Sequence, residues 1–177
     1  MKFIINEEQI KEKVKELAKE IYEFFNERKI DFIYLIFILT SSFVFASDLM
    51  RVLSQLGLKI QTDVISVKSY VGTKSGDIVI NPDDIYRHNL NNKNILIVDD
   101  ILDTGKTLTY VRKQILEAYT PKILEFCCFL EKYKPQRNLD FKVRFLGFKI
   151  PDLFVVGYGL DYDGKFRELP FITEIRQ

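Results

Sequence analysis

Hydrophobic positions recur along the first third of the chain with two spacings, which predict alternating helices and strands. Residues 10–25 place an apolar residue at every third or fourth position against a face of Glu and Lys, which is typical of an amphipathic helix. Asn6 and Gln9 predict a capping box at the start of that helix. Residues 32–39 indicate a strand buried on both faces, and helical spacing returns up to about residue 56. Strand, short polar loop and helix together indicate an α/β unit.

A second unit of this kind lies in the centre of the chain. Residues 95–98 are four consecutive apolar residues, as in a strand in the middle of a parallel sheet. Residues 104–107 predict a tight bend, and residues 108–118 carry helical spacing. Three carboxylates fall where the strand is expected to end: Asp99, Asp100 and Asp103. An acidic loop and a helix start therefore lie at the edge where open α/β sheets bind ligands.

The remaining segments predict further strands and one irregular region. Residues 63–70 read as a partly exposed strand, and residues 78–80 as the second arm of a hairpin. The polar, glycine-containing loop 71–77 between them is either a lid or a plain exposed hairpin. Residues 121–130 predict another buried strand. Residues 145–170, with Pro, Gly and Asp among aromatic residues, are expected to be irregular.

Length and charge limit the classes of protein to which this chain can belong. A chain of 177 residues suits a single domain with a sizeable core. With 26 basic and 25 acidic side chains the net charge is +1, which gives no electrostatic case for nucleic acid or membrane. Apolar runs stop short of the roughly 20 residues of a membrane span. The first residues lack the pattern of a signal peptide, so we expect a cytoplasmic protein.

Cysteine and histidine do not suggest a metal centre. Cys127 and Cys128 are adjacent within an apolar run, and neighbours on a strand point to opposite faces, so we expect two buried, unpaired thiols. His88 lies in a polar stretch and is expected at the surface. These residues therefore lack metal-ligand spacing.

The central loop combines two opposite electrostatic properties. Its end at residues 104–107 offers backbone N–H groups, hydroxyls and a helix N-terminus, which suit a phosphate. Its acidic start suits hydroxyls or a cation. A sugar phosphate with a divalent cation therefore satisfies both ends of the loop. A nucleoside-triphosphatase phosphate loop would need Gly five residues before Gly105, where Asp100 stands. An ordinary helix cap at Asp103 or Thr104 would explain only one acid or hydroxyl.

These residues resemble the diphosphoribosyl-binding signature of the type I phosphoribosyltransferases, most closely that of the hypoxanthine-guanine branch. The shared form is an apolar strand, two acids, two apolar residues, Asp-Thr-Gly, Lys or Asn, and Thr. Residues 150–162 with 166–169 resemble the purine-recognition end of the same branch. The resemblance implies an α/β type I phosphoribosyltransferase fold, with a central mostly parallel sheet flanked by helices and a small hood. Core and hood would form one domain over residues 1–177.

The resemblance also implies roles for individual residues. Asp103 would be the catalytic general base at the imidazole side of the purine, Phe154 would stack on the base, and Val155 would bind its edge through the backbone. Lys132 would donate to the exocyclic oxygen, with Lys134 as the alternative. Metal contacts to Mg²⁺ would come from Asp99 and Asp161. The residues implied to bind 5-phosphoribosyl 1-diphosphate are Thr40, Ser41, Ser69, Tyr70, Asp99, Asp100, Asp103, Thr104, Gly105, Lys106, Thr107 and Arg167.

One position departs from the family pattern. A Lys-Gly or Arg-Gly pair is expected after the strand at 32–39, but Thr40-Ser41 stands there. Hydroxyls can donate to phosphate without the charge, so we expect weaker pyrophosphate binding at this corner.

The expected partners are 5-phosphoribosyl 1-diphosphate, 6-oxopurine bases and nucleoside monophosphates, in a homodimer or homotetramer. The expected reaction forms IMP or GMP and pyrophosphate. A xanthine-preferring transferase and a non-catalytic regulatory protein of the same fold are the alternatives.

Overall fold

The computed structural model describes residues 3–69, 78–137 and 139–175, in which strands and helices alternate up to β3 and strands alone follow β6. In chain order the elements are β1 (Phe3–Ile5), α1 (Glu7–Asn26), β2 (Phe32–Leu39), α2 (Phe43–Gln55), β3 (Lys59–Ser69), β4 (Ile78–Ile80), α3 (Pro82–Tyr86), β5 (Asn94–Leu102), α4 (Lys106–Ala118), β6 (Ile123–Lys132), β7 (Phe145–Ile150), β8 (Val155–Val156) and β9 (Ile172–Glu174). Among these described residues, none of the helices has the length and hydrophobicity of a membrane span.

The main sheet has the strand order β4-β3-β2-β5-β6-β7. Its neighbouring strands are parallel except for β3 and β4, which form the predicted antiparallel hairpin. A smaller antiparallel sheet contains β1, β9 and β8. The chain moves from β2 to β3 on one side and later returns to place β5 on the other side of β2. The carboxyl ends of β2 and β5 therefore meet at a topological switch point, where α/β sheets bind ligands.

Two apolar layers cover the faces of the main sheet. One contains the buried sides of α1 and α2, and the other contains those of α3 and α4. Cys127 belongs to the first layer and Cys128 to the second, and both thiols are free and buried. This confirms the prediction that the two cysteines point to opposite faces. His88 is partly exposed and its Nε2 lies 3.0 Å from the Asp63 carboxylate.

The structure corrects several predicted boundaries. β5 runs to Leu102, so Asp99 and Asp100 lie within the strand, because pairing with β6 continues past them. α4 begins at Lys106 rather than two residues later, directly after a left-handed Gly105. β3 begins four residues earlier than predicted, while β6 is displaced by two residues towards the C-terminus. Residues 145–150 form strand β7 and are not irregular, because they pair with β6.

Candidate active site

A cavity of about 260 Å³ opens at the carboxyl ends of β2 and β5. The described residues that line it belong to the ends of β2, β3 and β5, to the loops that follow β2 and β5, and to the first turn of α4. They are Ile38, Leu39, Ser41, Val67, Asp99, Asp100, Ile101, Leu102, Asp103, Thr104, Gly105, Thr107 and Leu108. The topological switch point therefore brings the acidic pair, the phosphate-type loop and one residue of the loop after β2 into a single cavity.

The loop between β5 and α4 has the geometry of an anion site. Gly105 is the N-cap of α4 with φ 83°, a left-handed conformation that glycine adopts without steric cost. A Cβ there would lie 2.5 Å from a methyl group of Leu139, so the position is also crowded. The first N–H groups of a helix have no partner within the helix, and its dipole is positive at this end. The backbone amides around Gly105 can therefore bind a phosphate.

Asp99 and Asp100 form a buried acidic pair beside that loop. They are 6 % and 5 % exposed, respectively. The Asp100 N–H donates to Asp99 Oδ1 at 3.0 Å, and Asp100 Oδ2 has no hydrogen-bond partner among the described residues. Burial, together with the neighbouring Asp100 carboxyl, raises the pKa of Asp99 well above its usual range. An unpartnered carboxylate oxygen in a low-dielectric site favours binding of a cation or of ligand hydroxyl groups.

The acidic pair fits a magnesium ion. Mg²⁺ prefers hard oxygen ligands and is usually held by one or two carboxylates together with substrate phosphates and water. No group of three or more potential ligand residues occurs in the described ranges. That finding is compatible with magnesium, because substrate would supply the remaining oxygens. Asp99 and Asp100 can provide the protein ligands.

Asp103 lies between two lysines at the start of the loop. Its carboxylate is 2.9 Å from Lys134 Nζ and 3.2 Å from Lys132 Nζ. Burial alone raises the pKa of Asp103, but hydrogen bonds and charge from Lys134 and Lys132 outweigh it and lower the pKa below its usual value. Asp103 is therefore ionised at neutral pH. Both lysines also contact Asp152, at 3.5 Å for Lys132 and 3.0 Å for Lys134.

The two candidate lysines differ mainly in exposure. The Lys132 side chain is 12 % exposed at the end of β6, and that of Lys134 is 28 % exposed in the turn that follows. The structure places the ammonium groups of both lysines beside Asp103. Lys132 therefore has the more buried side chain and lies within a strand.

The residues predicted to recognise a purine follow β7. Phe154 is 41 % exposed and meets the ring of Tyr162 edge to face at 5.6 Å. Val155 is a buried residue of β8 in the smaller sheet. Asp161 is 2.9 Å from an Arg167 guanidinium nitrogen and accepts from the Gly164 N–H. Phe154 is thus partly open to solvent, while Arg167 pairs with Asp161.

Arg167 and the loop after β2 lie close to each other. Arg167 donates to the Gly159 carbonyl at 2.6 Å, and it lines a second cavity of about 450 Å³ rather than the first one. A Cβ at Gly159, where φ is 97°, would lie 2.2 Å from the Ser41 carbonyl oxygen. The peptide between Leu39 and Thr40 is cis. Absence of a side chain at Gly159 therefore lets the C-terminal segment approach the loop after β2.

Not every predicted site residue has a described side chain. The backbone of Ser69 ends β3. Tyr70 and the candidate lid at 71–77 lie outside the described residues. Conversely, sequence reasoning did not single out Asp152 or Arg137. Asp152 pairs with the two lysines that contact Asp103, and Arg137 donates to the Asp103 carbonyl. Their contacts join segments distant in sequence, so no local pattern could have indicated them.

Comparison with known proteins agrees with this geometry. The family model of the phosphoribosyl transferase domain matches residues 4–163. The hypoxanthine phosphoribosyltransferase of Buchnera aphidicola subsp. Schizaphis graminum is 40% identical over 99% of this chain and 96% of its own length. The hypoxanthine-guanine phosphoribosyltransferase of Aquifex aeolicus is 38% identical over 96% of this chain and 92% of its own.

A solved structure gives the same result for the fold. The hypoxanthine phosphoribosyltransferase of Trypanosoma cruzi, in complex with the product IMP, superposes with a TM-score of 0.88 at 34% identity. The match covers 99% of this chain and 94% of that one. The predicted fold class is therefore confirmed. This chain belongs to the phosphoribosyltransferase family, in the branch of the hypoxanthine and hypoxanthine-guanine enzymes.

Proposed function

We propose that this protein transfers the phosphoribosyl group of 5-phosphoribosyl 1-diphosphate to hypoxanthine or guanine, forming IMP or GMP and releasing pyrophosphate. The observation that carries the proposal is the connection from β5 to α4. It places a buried acidic pair, a carboxylate held by two lysines and a helix N-terminus around one cavity. Together these residues can bind ribose hydroxyls and a phosphate, and the carboxylate can accept a proton.

The phosphoribosyl end of the substrate is assigned to the loop at residues 104–107. The 5-phosphate accepts from backbone N–H groups of this loop and from the Thr104 and Thr107 hydroxyls. Asp99 and Asp100 hold the ribose hydroxyls. Their negative charge stabilises the positive charge that develops on the sugar as the bond to pyrophosphate breaks.

The purine is assigned to the space between Asp103, Lys132 and Phe154. As the new bond between the ribose carbon and the purine nitrogen forms, Asp103 accepts the proton lost from the imidazole side of the base. The Lys132 ammonium donates a hydrogen bond to the exocyclic oxygen of a 6-oxopurine. A 6-aminopurine carries an amino group there, which could not accept that hydrogen bond. The exposed ring of Phe154 stacks on the base, and the Val155 backbone binds its edge.

Magnesium completes the proposed site. Asp99 of the acidic pair would hold one ion, and Asp161, which contacts Arg167 and the Gly164 N–H, would hold a second one. When bound, Mg²⁺ shields the charge of pyrophosphate and makes it a better leaving group. Arg167 faces pyrophosphate, and the hydroxyls of Thr40 and Ser41 replace the missing charge after β2 more weakly. A homodimer or homotetramer in the cytoplasm is part of the same proposal.

The proposal is tested by a spectrophotometric assay with the four bases in turn. Purified protein, Mg²⁺ and 5-phosphoribosyl 1-diphosphate are mixed with hypoxanthine, guanine, xanthine or adenine. We expect nucleotide formation with hypoxanthine or guanine, and none with adenine. Preference for xanthine would favour the xanthine-type alternative. Binding of the diphosphate without turnover of any base would refute the proposal in favour of a regulatory protein.

A further inference from the structure

Arg137 is a buried guanidinium that contacts both halves of the proposed site. Its side chain is 9 % exposed, although it belongs to a basic, polar turn after β6. Nε donates to the Asp103 carbonyl at 2.8 Å, and one terminal nitrogen donates to the carbonyls of Leu102, at 3.3 Å, and Lys132. The other terminal nitrogen lies 2.7 Å from the Glu131 carboxylate, which balances its charge. The donor groups of Arg137 thus reach two residues at the end of β6 and two residues at the junction of β5 with the loop that follows it.

These contacts begin where the pairing of β5 with β6 ends. The last pair in register is Leu102 with Glu131. The next residues are Asp103, just after β5, and Lys132, the last residue of β6, and the register does not pair them with each other. The Arg137 guanidinium donates to the backbone carbonyls of both, and so takes the place of the missing hydrogen bonds of the sheet. Only arginine has a planar group with several donors in fixed directions, whereas lysine has one compact charge.

Asp103 and Lys132 are also the residues that must be placed accurately for the proposed reaction. The Asp103 carboxylate and the Lys132 ammonium are 3.2 Å apart, and they are assigned to two neighbouring positions on one purine ring. We propose that Arg137 is a positioning residue that fixes the general base relative to the donor of the exocyclic oxygen. It touches neither substrate, and it acts only through the backbone of Asp103 and Lys132. This inference rests on the proposed function.

The test compares Arg137→Lys and Arg137→Ala with a matched control, Arg144→Lys. Arg144 lies directly before β7 and also pairs with a glutamate of β6, Glu125, at 2.9 Å, but its side chain is 40 % exposed and does not line the cavity. Steady-state kinetics with hypoxanthine and Mg²⁺ give kcat and the KM for 5-phosphoribosyl 1-diphosphate. Thermal unfolding is recorded for each variant.

We expect both Arg137 variants to lower kcat by about 10–100-fold, since a misplacement of about 1 Å can reduce a rate about 10²-fold. The KM for 5-phosphoribosyl 1-diphosphate should change by less than about threefold, because the phosphate loop and acidic pair remain. Guanidinium at a non-denaturing concentration should restore part of the kcat of Arg137→Ala and leave Arg137→Lys unchanged. Arg144→Lys should retain wild-type kcat.

Wild-type kcat in Arg137→Lys would overturn the inference, as would an equal loss in Arg144→Lys or the absence of rescue by guanidinium. If both Arg137 variants fail to fold, the inference is also wrong, because the residue is then needed for the fold itself. The wild-type assay separates the two proposals. A wild-type protein that is inactive with every purine refutes the function, whereas an active wild type with unaffected Arg137 variants refutes only the positioning role.

Discussion

Replacing Asp103 by Asn removes the proposed general base while preserving the size of the side chain. The carboxylate is held by ammonium groups at 2.9 Å and 3.2 Å, which keep its pKa below the usual range. It is therefore fully ionised at neutral pH, but it is a weaker base than an ordinary aspartate. General-base catalysis contributes about 10²–10⁴ in rate, and a weakened base belongs at the lower end of that range.

We therefore expect Asp103→Asn to reduce kcat by about 10²–10³-fold, which corresponds to about 3–4 kcal/mol of transition-state stabilisation. The KM for 5-phosphoribosyl 1-diphosphate should change by less than about threefold, because the loop amides and the acidic pair are unchanged. The measurement is the initial rate of nucleotide formation, with hypoxanthine and 5-phosphoribosyl 1-diphosphate varied separately. Binding of IMP, followed by calorimetry, should be affected less than turnover.

Asp152→Asn is a matched control, because Asp152 contacts the same two lysines and has no assigned chemical role. Its side chain is 52 % exposed, so loss of its charge is largely compensated by water. We expect its kcat to stay within about tenfold of the wild type. The base role of Asp103 would be refuted if its variant lost turnover and binding equally, or lost neither. An equal loss in Asp152→Asn would attribute the effect to the ion cluster.

Three further predictions follow from the same geometry. Lys134→Met should move the acid limb of the pH–rate profile to higher pH, because Lys134 lowers the pKa of Asp103, and an unchanged limb would contradict this. Gly159→Ala should lower the free energy of unfolding by about 1–3 kcal/mol in chemical denaturation, since its Cβ would meet the Ser41 carbonyl. Gly164→Ala is the control and should lower it less, because φ is 75° there but the space around the residue is open. Chelation by EDTA should abolish turnover and excess Mg²⁺ should restore it; full activity in EDTA would refute the metal proposal.

The elements that the sequence predicted best are those decided by local pattern. The continuous apolar run of β2 and the apolar stripe of α1 each have one favourable structure. The capping box is also present, because Asn6 and Gln9 exchange backbone and side-chain hydrogen bonds of 2.9 Å each. The acid-rich connection after β5 was correctly placed at the ligand edge of the sheet, since parallel strands carry their binding loops at their carboxyl ends.

Strand β7 was missed because its composition is compatible both with an irregular segment and with a strand. Gly147 and Pro151 suggested an irregular segment. In the structure a Cβ at Gly147 would lie 2.2 Å from the Phe129 carbonyl of β6, so the glycine permits a close approach between paired strands. A glycine within a strand can mark such an approach as readily as a break. The sequence alone does not show that residues 145–150 pair with β6, and this pairing decides between a break and a close approach.

The metal ligands, the role of Asp161 and the roles of the purine-binding residues remain predictions. Side-chain contacts across the site were also beyond the sequence. Arg137 belongs to a basic, polar segment, and nothing in residues 131–137 indicates that its side chain points inward. The structure shows that the turn folds back on the loop after β5, over a separation of 34 residues between Arg137 and Asp103. Only the tertiary fold could reveal this contact.

The position of the site explains why several segments distant in sequence are needed for one reaction. β2 and β5 are neighbours, although α2, β3, β4 and α3 lie between them in the chain. Gly159 brings the C-terminal segment against the loop after β2, while Arg137 joins the ends of β5 and β6. The proposed phosphate and ribose positions lie on β5 and the loop after it, whereas the proposed purine and pyrophosphate positions involve other connections at the same edge of the sheet. Because each connection is anchored by contacts that do not touch substrate, a change of residues such as Thr40-Ser41 can alter one subsite without disturbing the others.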